Sequence, residues 1–195
     1  MSPINVRWRL VEASDVSALA KFTCAPARRS GVKPEYQPEP WSQRAQSMLR
    51  DLPRDALRDS GRRDWRYVVG VVASATAFPQ SGLLLPRGVI VAAFIHIDCR
   101  ASATSLSAYP MRDLVVAGIH LPLRGALTST GQRLSHEMMR VAVGDAASRV
   151  TGSGILRAQV HPDNTRSIGL LRSSGFVLVP EPRTSGLIDY ARRIP

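Results

Sequence analysis

The sequence predicts an α/β fold in which antiparallel hairpins surround a central β-α-β unit. Three observations carry this. Between Asp113 and Phe176 the chain reads strand, small-residue turn, amphipathic helix, strand, Asn-led helix, then Gly175-Phe176 and a further strand. Short β-rich runs separated by turn residues precede and follow that stretch. The 195 residues are 44% hydrophobic but only 6% aromatic, so Val, Leu, Ile and Ala must fill a core of ordinary size, which suits one domain over residues 1–195.

Taken in order, Val6 to Leu10 alternates polar and apolar residues and reads as the first strand. Ser14 or Asp15 caps a helix through Val16, Leu19, Ala20 and Phe22. Ala25 to Pro40 carries Pro26, Pro34, Pro38 and Pro40 and reads as an extended loop. Trp41 to about Arg58 is helical, with Trp41, Ala45, Met48, Leu49 and Leu52 on one side, and Pro53 predicts a kink or two shorter helices. Trp65–Ala73 and Gly88–Asp98 are strands around a turn-rich connection, Thr76–Pro86. A small-residue loop, Arg100–Met111, leads into the Asp113–His120 strand. The turn Leu121–Gly131, the helix Gln132–Arg149, the strand Gly154–His161 and the helix opened by Asn164 follow. The last two strands, Phe176–Val179 and Gly186–Arg192, are split by Pro180-Glu-Pro182.

The formal net charge is +11, and Lys21 and Lys33 are the only lysines among 26 basic residues. Such charge favours anionic partners: phosphorylated cofactors, nucleotides or nucleic acid. Arginines scattered along the chain fit compositional bias plus a phosphate-bearing cofactor better than a dedicated nucleic-acid face. Cys24 and Cys99 form neither a disulfide framework nor a metal-ligand spacing, and no His/Cys/carboxylate pattern supports a metal. No signal peptide is read at Met1–Leu10 and no apolar run is long enough to span a bilayer, so a cytoplasmic protein without membrane attachment is expected.

A strand that opens into a helix through small residues makes an anion site, because unpaired N–H groups and the helix dipole point at the same place. Here Ser129 or Thr130 offers an N-cap and Gly131 permits close approach. Asn164 then opens a second short helix that ends at Gly175-Phe176.

On these residues the chain resembles the GNAT superfamily of acyl-CoA N-acyltransferases. The family pattern is a strand ending Val-x-x-x-x-Arg-Gly, a glycine-rich turn and helix, and later Asn-x-x-Ala-x-x-Leu-Tyr-x-x-x-Gly-Phe. Ile119 stands for the Val, Arg124-Gly125 for the Arg-Gly, and Asn164, Ser167, Leu170 and Gly175-Phe176 match the second motif. The resemblance implies a mixed, mostly antiparallel sheet with a central parallel β-α-β splay flanked by helices, and acetyl-CoA or another acyl-CoA as co-substrate. It implies pantetheine contacts from Ile119, His120 and Leu121. Arg124, Gly125, Ser129, Thr130, Gly131, Gln132 and Asn164 complete the expected cofactor-binding set. Two departures stand out: the last glycine of the turn arrives two residues late, at Gly131, and Leu171 replaces the tyrosine that protonates the leaving thiolate in many members.

Acyl transfer to an amine needs a base for the ammonium and a proton for the departing sulfur. Asp113 lies an even number of residues before Ile119 and shares its strand face if no bulge intervenes, which makes it one candidate base. A strand-entry residue paired with Arg112 or with solvent is the alternative. His161, at the end of the strand before Asn164, is the second candidate, and His96 and His120 are weaker ones. His136-Glu137 lacks the second histidine of a zinc helix and reads as a solvated pair. The expected activity is acetyl transfer to a primary amine of a small molecule or peptide, by a monomer or homodimer. The resemblance places Ala25–Pro40 and the helix after it on the acceptor side, where Tyr36 and Trp41 either shape the site or anchor the loop. A basic binding module that keeps the fold without the chemistry, or an acetyltransferase acting on aminoacyl-tRNA, remains open.

Overall fold

The computed structural model describes residues 3–57, 65–78, 82–99, 110–180 and 186–195. The loop expected at 100–109, the tip of the 76–86 connection, Arg58 at the expected end of the second helix, and Glu181-Pro182 lie outside these residues.

Seven strands form one sheet in the order β1-β2-β5-β6-β7-β9-β8. They are β1 (Val6–Leu10), β2 (Trp65–Val72), β5 (Ile90–Cys99), β6 (Met111–Ile119), β7 (Gly154–Val160), β8 (Val177–Val179) and β9 (Ile188–Ile194). Every pairing is antiparallel except β6 with β7, the central parallel pair that the sequence predicted. Four helices complete the described fold: α1 (Val16–Leu19), α2 (Pro40–Leu57), α3 (Leu134–Ala147) and α4 (Thr165–Ser173).

Three local expectations change. The turn-rich 76–86 connection contains a small hairpin, β3 (Thr76–Phe78) with β4 (Leu83–Leu85), which buries Phe78 and Leu85. The first helix is a single α-turn after a 3₁₀ turn, and no side chain caps it. The Asp15 carboxylate instead accepts the Glu12 N–H at 2.8 Å and pairs with Arg9 at 2.6 and 2.8 Å. The second helix continues through Pro53 as one element.

The sheet separates two cores. On one face α3 lays down Leu134, Met138, Met139, Ala142 and Ala146 against Phe94, Leu114, Leu156 and Tyr190. On the other, Leu19, Phe22 and Leu49 meet Tyr67, Val69, Ile95 and Val116, with Ala45, Met48 and Leu52 of α2 packed alongside. Each helix therefore presents one apolar stripe to one sheet face.

The far end of α3 holds a buried ionic network. Arg112 donates to the last carbonyls of the helix, at Ala146 and at Arg149 (2.9 Å), where a cation opposes the negative end of the dipole. It also pairs with Asp98 at 2.6 Å. Arg66 grips Asp145 at 2.6 Å, and the fully buried His96 ring stands 3.4 Å from the same carboxylate. His96 thus faces the α3 core. Burial, opposed by Asp145 and reinforced by Arg149 and Arg112, lowers its pKa.

The folded chain therefore binds this proton less tightly than the unfolded chain, whose histidine titrates near ~6.5. The stabilisation is complete above that value and declines as pH falls below it. Asp145, also lowered, acts only in the more acid carboxylate range. The melting temperature should fall between pH 7.5 and 5.5, and His96→Leu should flatten that slope in a melting series.

Candidate active site

Strand β6 carries the feature that builds the site. Its pairing with β5 runs Ile95 to Val116 and then His96 to Leu114, so Val115 is an extra, bulged residue. Leu114 points into the α3 core and Val116 into the α2 core, although residues two apart normally share a face. The premise that joined Asp113 to Ile119 is therefore removed. Asp113 lies on the α2 side, whereas Ile119 packs against the α3 core. Asp113 forms a two-point pair with Arg157 of β7, at 2.6 and 2.5 Å. It is a strand-to-strand clamp outside the cleft described below.

The β6–β7 ladder ends at Leu114–Ala158, and the two strands diverge beyond it. The His120 N–H bonds the Val91 carbonyl. By the alternation of antiparallel pairs, Gly118 also faces β5, and Ala117 and Ile119 turn their N–H and C=O groups toward the gap. The expectation for His120 and Leu121 is corrected. Their N–H groups bond Val91 and Thr23, and the His120 ring stays with Thr23, its Nδ1 2.8 Å from the Thr23 carbonyl.

The gap opens into a cleft of about 730 Å³ bounded by the start of α2, the end of β6, the entry to α3 and one face of α4. Of the residues read as cofactor-binding, Ile119, Arg124, Gly125 and Asn164 line it, together with Ala117, Gly118, Glu39, Trp41, Arg133, Ser135, His136 and Arg166. Gly118 is where segments meet most closely. A Cβ there would stand 2.6 Å from Leu49 Cδ1 and 3.2 Å from Cys24 Sγ, so glycine lets α2 and the Cys24 segment close over the strand. Burial beside that segment pushes the Cys24 thiol up to about 11, which keeps it protonated.

Ser129, Thr130, Gly131 and Gln132 do not line the cleft. They form a small closed turn: Thr128 N–H bonds Gln132 O, Gly131 N–H bonds Thr128 O, and Ser129 N–H bonds Ile4 O. Thr130 Oγ1 donates to Glu137 Oε2 at 3.1 Å, and Trp8 Nε1 donates to Glu137 Oε1 at 3.0 Å. Glu137 is consequently buried, not solvated. Gly131 holds φ +79°, so its role is to turn the chain.

The free donors sit just after this turn. Leu134 N–H bonds Ala126 O, but the N–H groups of Gly125, Arg133 and Ser135 find no hydrogen-bond acceptor among the described residues. Arg133 and Ser135 lie at the start of α3 and Gly125 in the loop after β6, and all three line the cleft. The sequence signal was present: a glycine pattern begun at Gly131 instead of Gly125 puts its next two small positions at Arg133 and Ser135.

Asn164 caps α4, its Oδ1 accepting the Ser167 N–H at 3.2 Å. His161 stacks on Trp41 with ring centres 5.3 Å apart, and its Nδ1 accepts the Asp163 N–H at 3.2 Å. It borders the cleft through Trp41 rather than lining it. Trp41 therefore shapes the cleft, while Tyr36 is 73% exposed. Leu171 is buried in the α3 core and supplies no proton. Among the described residues no group of His, Cys, Asp and Glu could hold a metal ion, and no helix is long and apolar enough to cross a membrane.

No protein-family model matches the chain, and no curated protein does. Solved structures do. The GNAT domain of S. lividans PAT matches with TM-score 0.57 at 13% identity, covering 97% of this chain and 90% of that one. The PaiA N-acetyltransferase from Thermoplasma acidophilum, in complex with coenzyme A, matches with TM-score 0.56 at 12% identity, over 98% and 99%. YncA from Salmonella typhimurium, with its cofactor acetyl-CoA, matches with TM-score 0.51 at 13% identity, over 97% and 94%. The chain has the GNAT acyltransferase fold.

Capping gives a direct check on Asn164. Asn164→Ala should lower stability by about 1 kcal/mol in urea unfolding, and Asn164→Asp, which keeps the capping oxygen, should recover most of it.

Proposed function

We propose that this protein is an acyl-CoA-dependent N-acyltransferase that moves an acetyl group from acetyl-CoA to a primary amine of a small molecule or peptide. One observation carries the reading: the gap beyond Leu114–Ala158 runs in a single cleft to the unpaired N–H groups and Arg133 at the start of α3. An extended arm with amides fits the first part, and a pyrophosphate fits the second. The related folds bound to coenzyme A and acetyl-CoA support the same co-substrate.

In this reading Ala117 and Ile119 hold the arm through backbone hydrogen bonds, and Gly125, Arg133 and Ser135 hold the phosphates. Asn164 keeps its amide nitrogen for the arm while its oxygen caps α4. The acceptor approaches from the side of Trp41 and Ser42. A neutral amine attacks the thioester carbonyl; the C–N bond forms, the C–S bond breaks and the sulfur takes a proton.

Asp113, Glu39 and His161 offer little acid–base help with those protons. Asp113 is clamped by Arg157 away from the cleft. Hydrogen bonds from Arg124 hold Glu39 below the usual carboxylate range, so it is a poor base at neutral pH. His161 already uses Nδ1 as an acceptor, which leaves its other nitrogen carrying the proton in the neutral ring. The amine therefore gives its proton to water, and water protonates the sulfur.

Acetyl-CoA at a hundredfold excess over its Kd should stabilise the protein by about 2.7 kcal/mol, read as a rise in melting temperature. Arg133→Gln should weaken that binding about fivefold by calorimetry and flatten its dependence on salt. No thermal shift and no heat of binding in the parent would sink the assignment.

The pH–rate profile tests the missing base. With water as acceptor, kcat/KM should climb through neutrality toward the pKa of the acceptor amine, ~10.4 for a lysine-like amine. Asp113→Asn should leave that profile in place while lowering stability through the lost pair with Arg157. A plateau near neutrality, lost in Asp113→Asn, would return the base to Asp113.

A further inference from the structure

Glu39 is the only non-glycine residue with positive φ among those described, at +49°. Left-handed backbone is unfavourable for a glutamate and persists where surrounding contacts over-determine it. The contacts here are visible. Glu39 Oε1 accepts Arg124 NH1 at 3.0 Å and Arg166 NH1 at 3.4 Å, and Oε2 accepts Arg124 NH2 and Ser42 Oγ, each at 2.9 Å. One carboxylate thus joins the start of α2, the loop after β6 and the first turn of α4 across the cleft.

The position of that carboxylate matters more than its strength. Arg124 and Arg166 line the same cleft as the unpaired N–H of Gly125, which follows Arg124 directly. Without Glu39 these cations would face an incoming phosphate. With every side-chain oxygen contact filled by Arg124, Arg166 and Ser42, Glu39 has little capacity to accept a proton or bind an amine.

We infer that Glu39 is a specificity-determining residue of the cleft: its carboxylate occupies the arginines in place of an external anion, so a phosphate that binds there must displace or outbid it. The inference rests on the cleft being the acyl-CoA site. It deepens that reading by making Glu39 a brake on phosphate-bearing thioesters, to which phosphate-free thioesters are indifferent.

The test is calorimetric titration of the full chain and Glu39→Gln with inorganic pyrophosphate, acetyl-CoA and S-acetyl-pantetheine. Gln keeps the shape and the acceptor for Ser42 but removes the charge. Expected is about fivefold tighter binding of pyrophosphate and acetyl-CoA in Glu39→Gln, the scale of one partly exposed ion pair, with S-acetyl-pantetheine unchanged. The gain should vanish when Arg124→Gln is added. Unchanged or weaker pyrophosphate binding in a Glu39→Gln protein that melts like the parent overturns the inference, because a purely structural role predicts that result. Should Glu39→Gln fold poorly, Glu39→Asp draws the carboxylate back from the arginines by one methylene. It should still bind pyrophosphate more tightly than the parent, and no gain would overturn the inference equally. If acetyl-CoA binds neither protein while pyrophosphate tightens, the acyltransferase reading fails and the anion competition stands.

Discussion

Two neighbouring parallel strands that stay paired for only part of their length need something to hold them together at one end and part them at the other. Here the paired end is clamped by Asp113 and Arg157, whose two-point contact spans β6 and β7 one residue before the ladder stops. Bidentate arginine–carboxylate geometry fixes direction as well as distance, so it resists sliding of one strand past the other. Past it, the bulge at Val115 switches the faces of β6 and re-aims everything from Val116 onward. The cleft exists because of this arrangement. A regular strand would carry Ile119 to the other core and continue the ladder.

The remaining architecture supports that opening from both sides. Gly118 lets α2 press against β6, which brings Trp41 and Glu39 to the rim. On the opposite face, Glu137 ties Trp8 and Thr130 to the first turn of α3, so the closed turn at 128–132 is held back and the next N–H groups are left facing the cleft. At the far end of the same helix, Arg112 satisfies the last carbonyls. Both ends of α3 are thus fixed by charged groups, buried at Glu137 and Arg112, while its middle is fixed by apolar packing. Such ends are costly to disturb, because removing one partner strands the other away from water.

The positive charge of the chain has a partly local explanation. Arg66, Arg112, Arg149 and Arg157 are engaged in structural pairs, and Arg124, Arg133 and Arg166 line the cleft. The arginines named here divide between internal pairs and the wall of one cleft, where Arg124 and Arg166 also hold Glu39. That division fits a phosphate-bearing small ligand better than an extended nucleic-acid surface, which needs phosphate contacts along a continuous face.

The order of the seven sheet strands and four helices and the central β-α-β were legible in the sequence, whereas the β3–β4 hairpin was not. Apolar periodicity, helix-capping residues and glycine turns act over a few residues, and local physics suffices for them. The misplaced assignments share another cause. Asp113 was given the wrong face because a bulge depends on how a neighbouring strand pairs, which no pattern within β6 reveals. Ser129 to Gln132 were placed at the phosphate site because a glycine-containing turn shows that the chain bends, not which way the bend faces. Its direction was settled by Ile4 and Trp8, remote in sequence from the turn, and by Glu137 of α3. Glu39 escaped notice for the same reason, since its partners Arg124 and Arg166 lie far along the chain. Sequence alone determined the main elements and their order. Only the tertiary structure decided which backbone groups stay unpaired and which charges meet, because both depend on contacts between residues that local pattern does not connect.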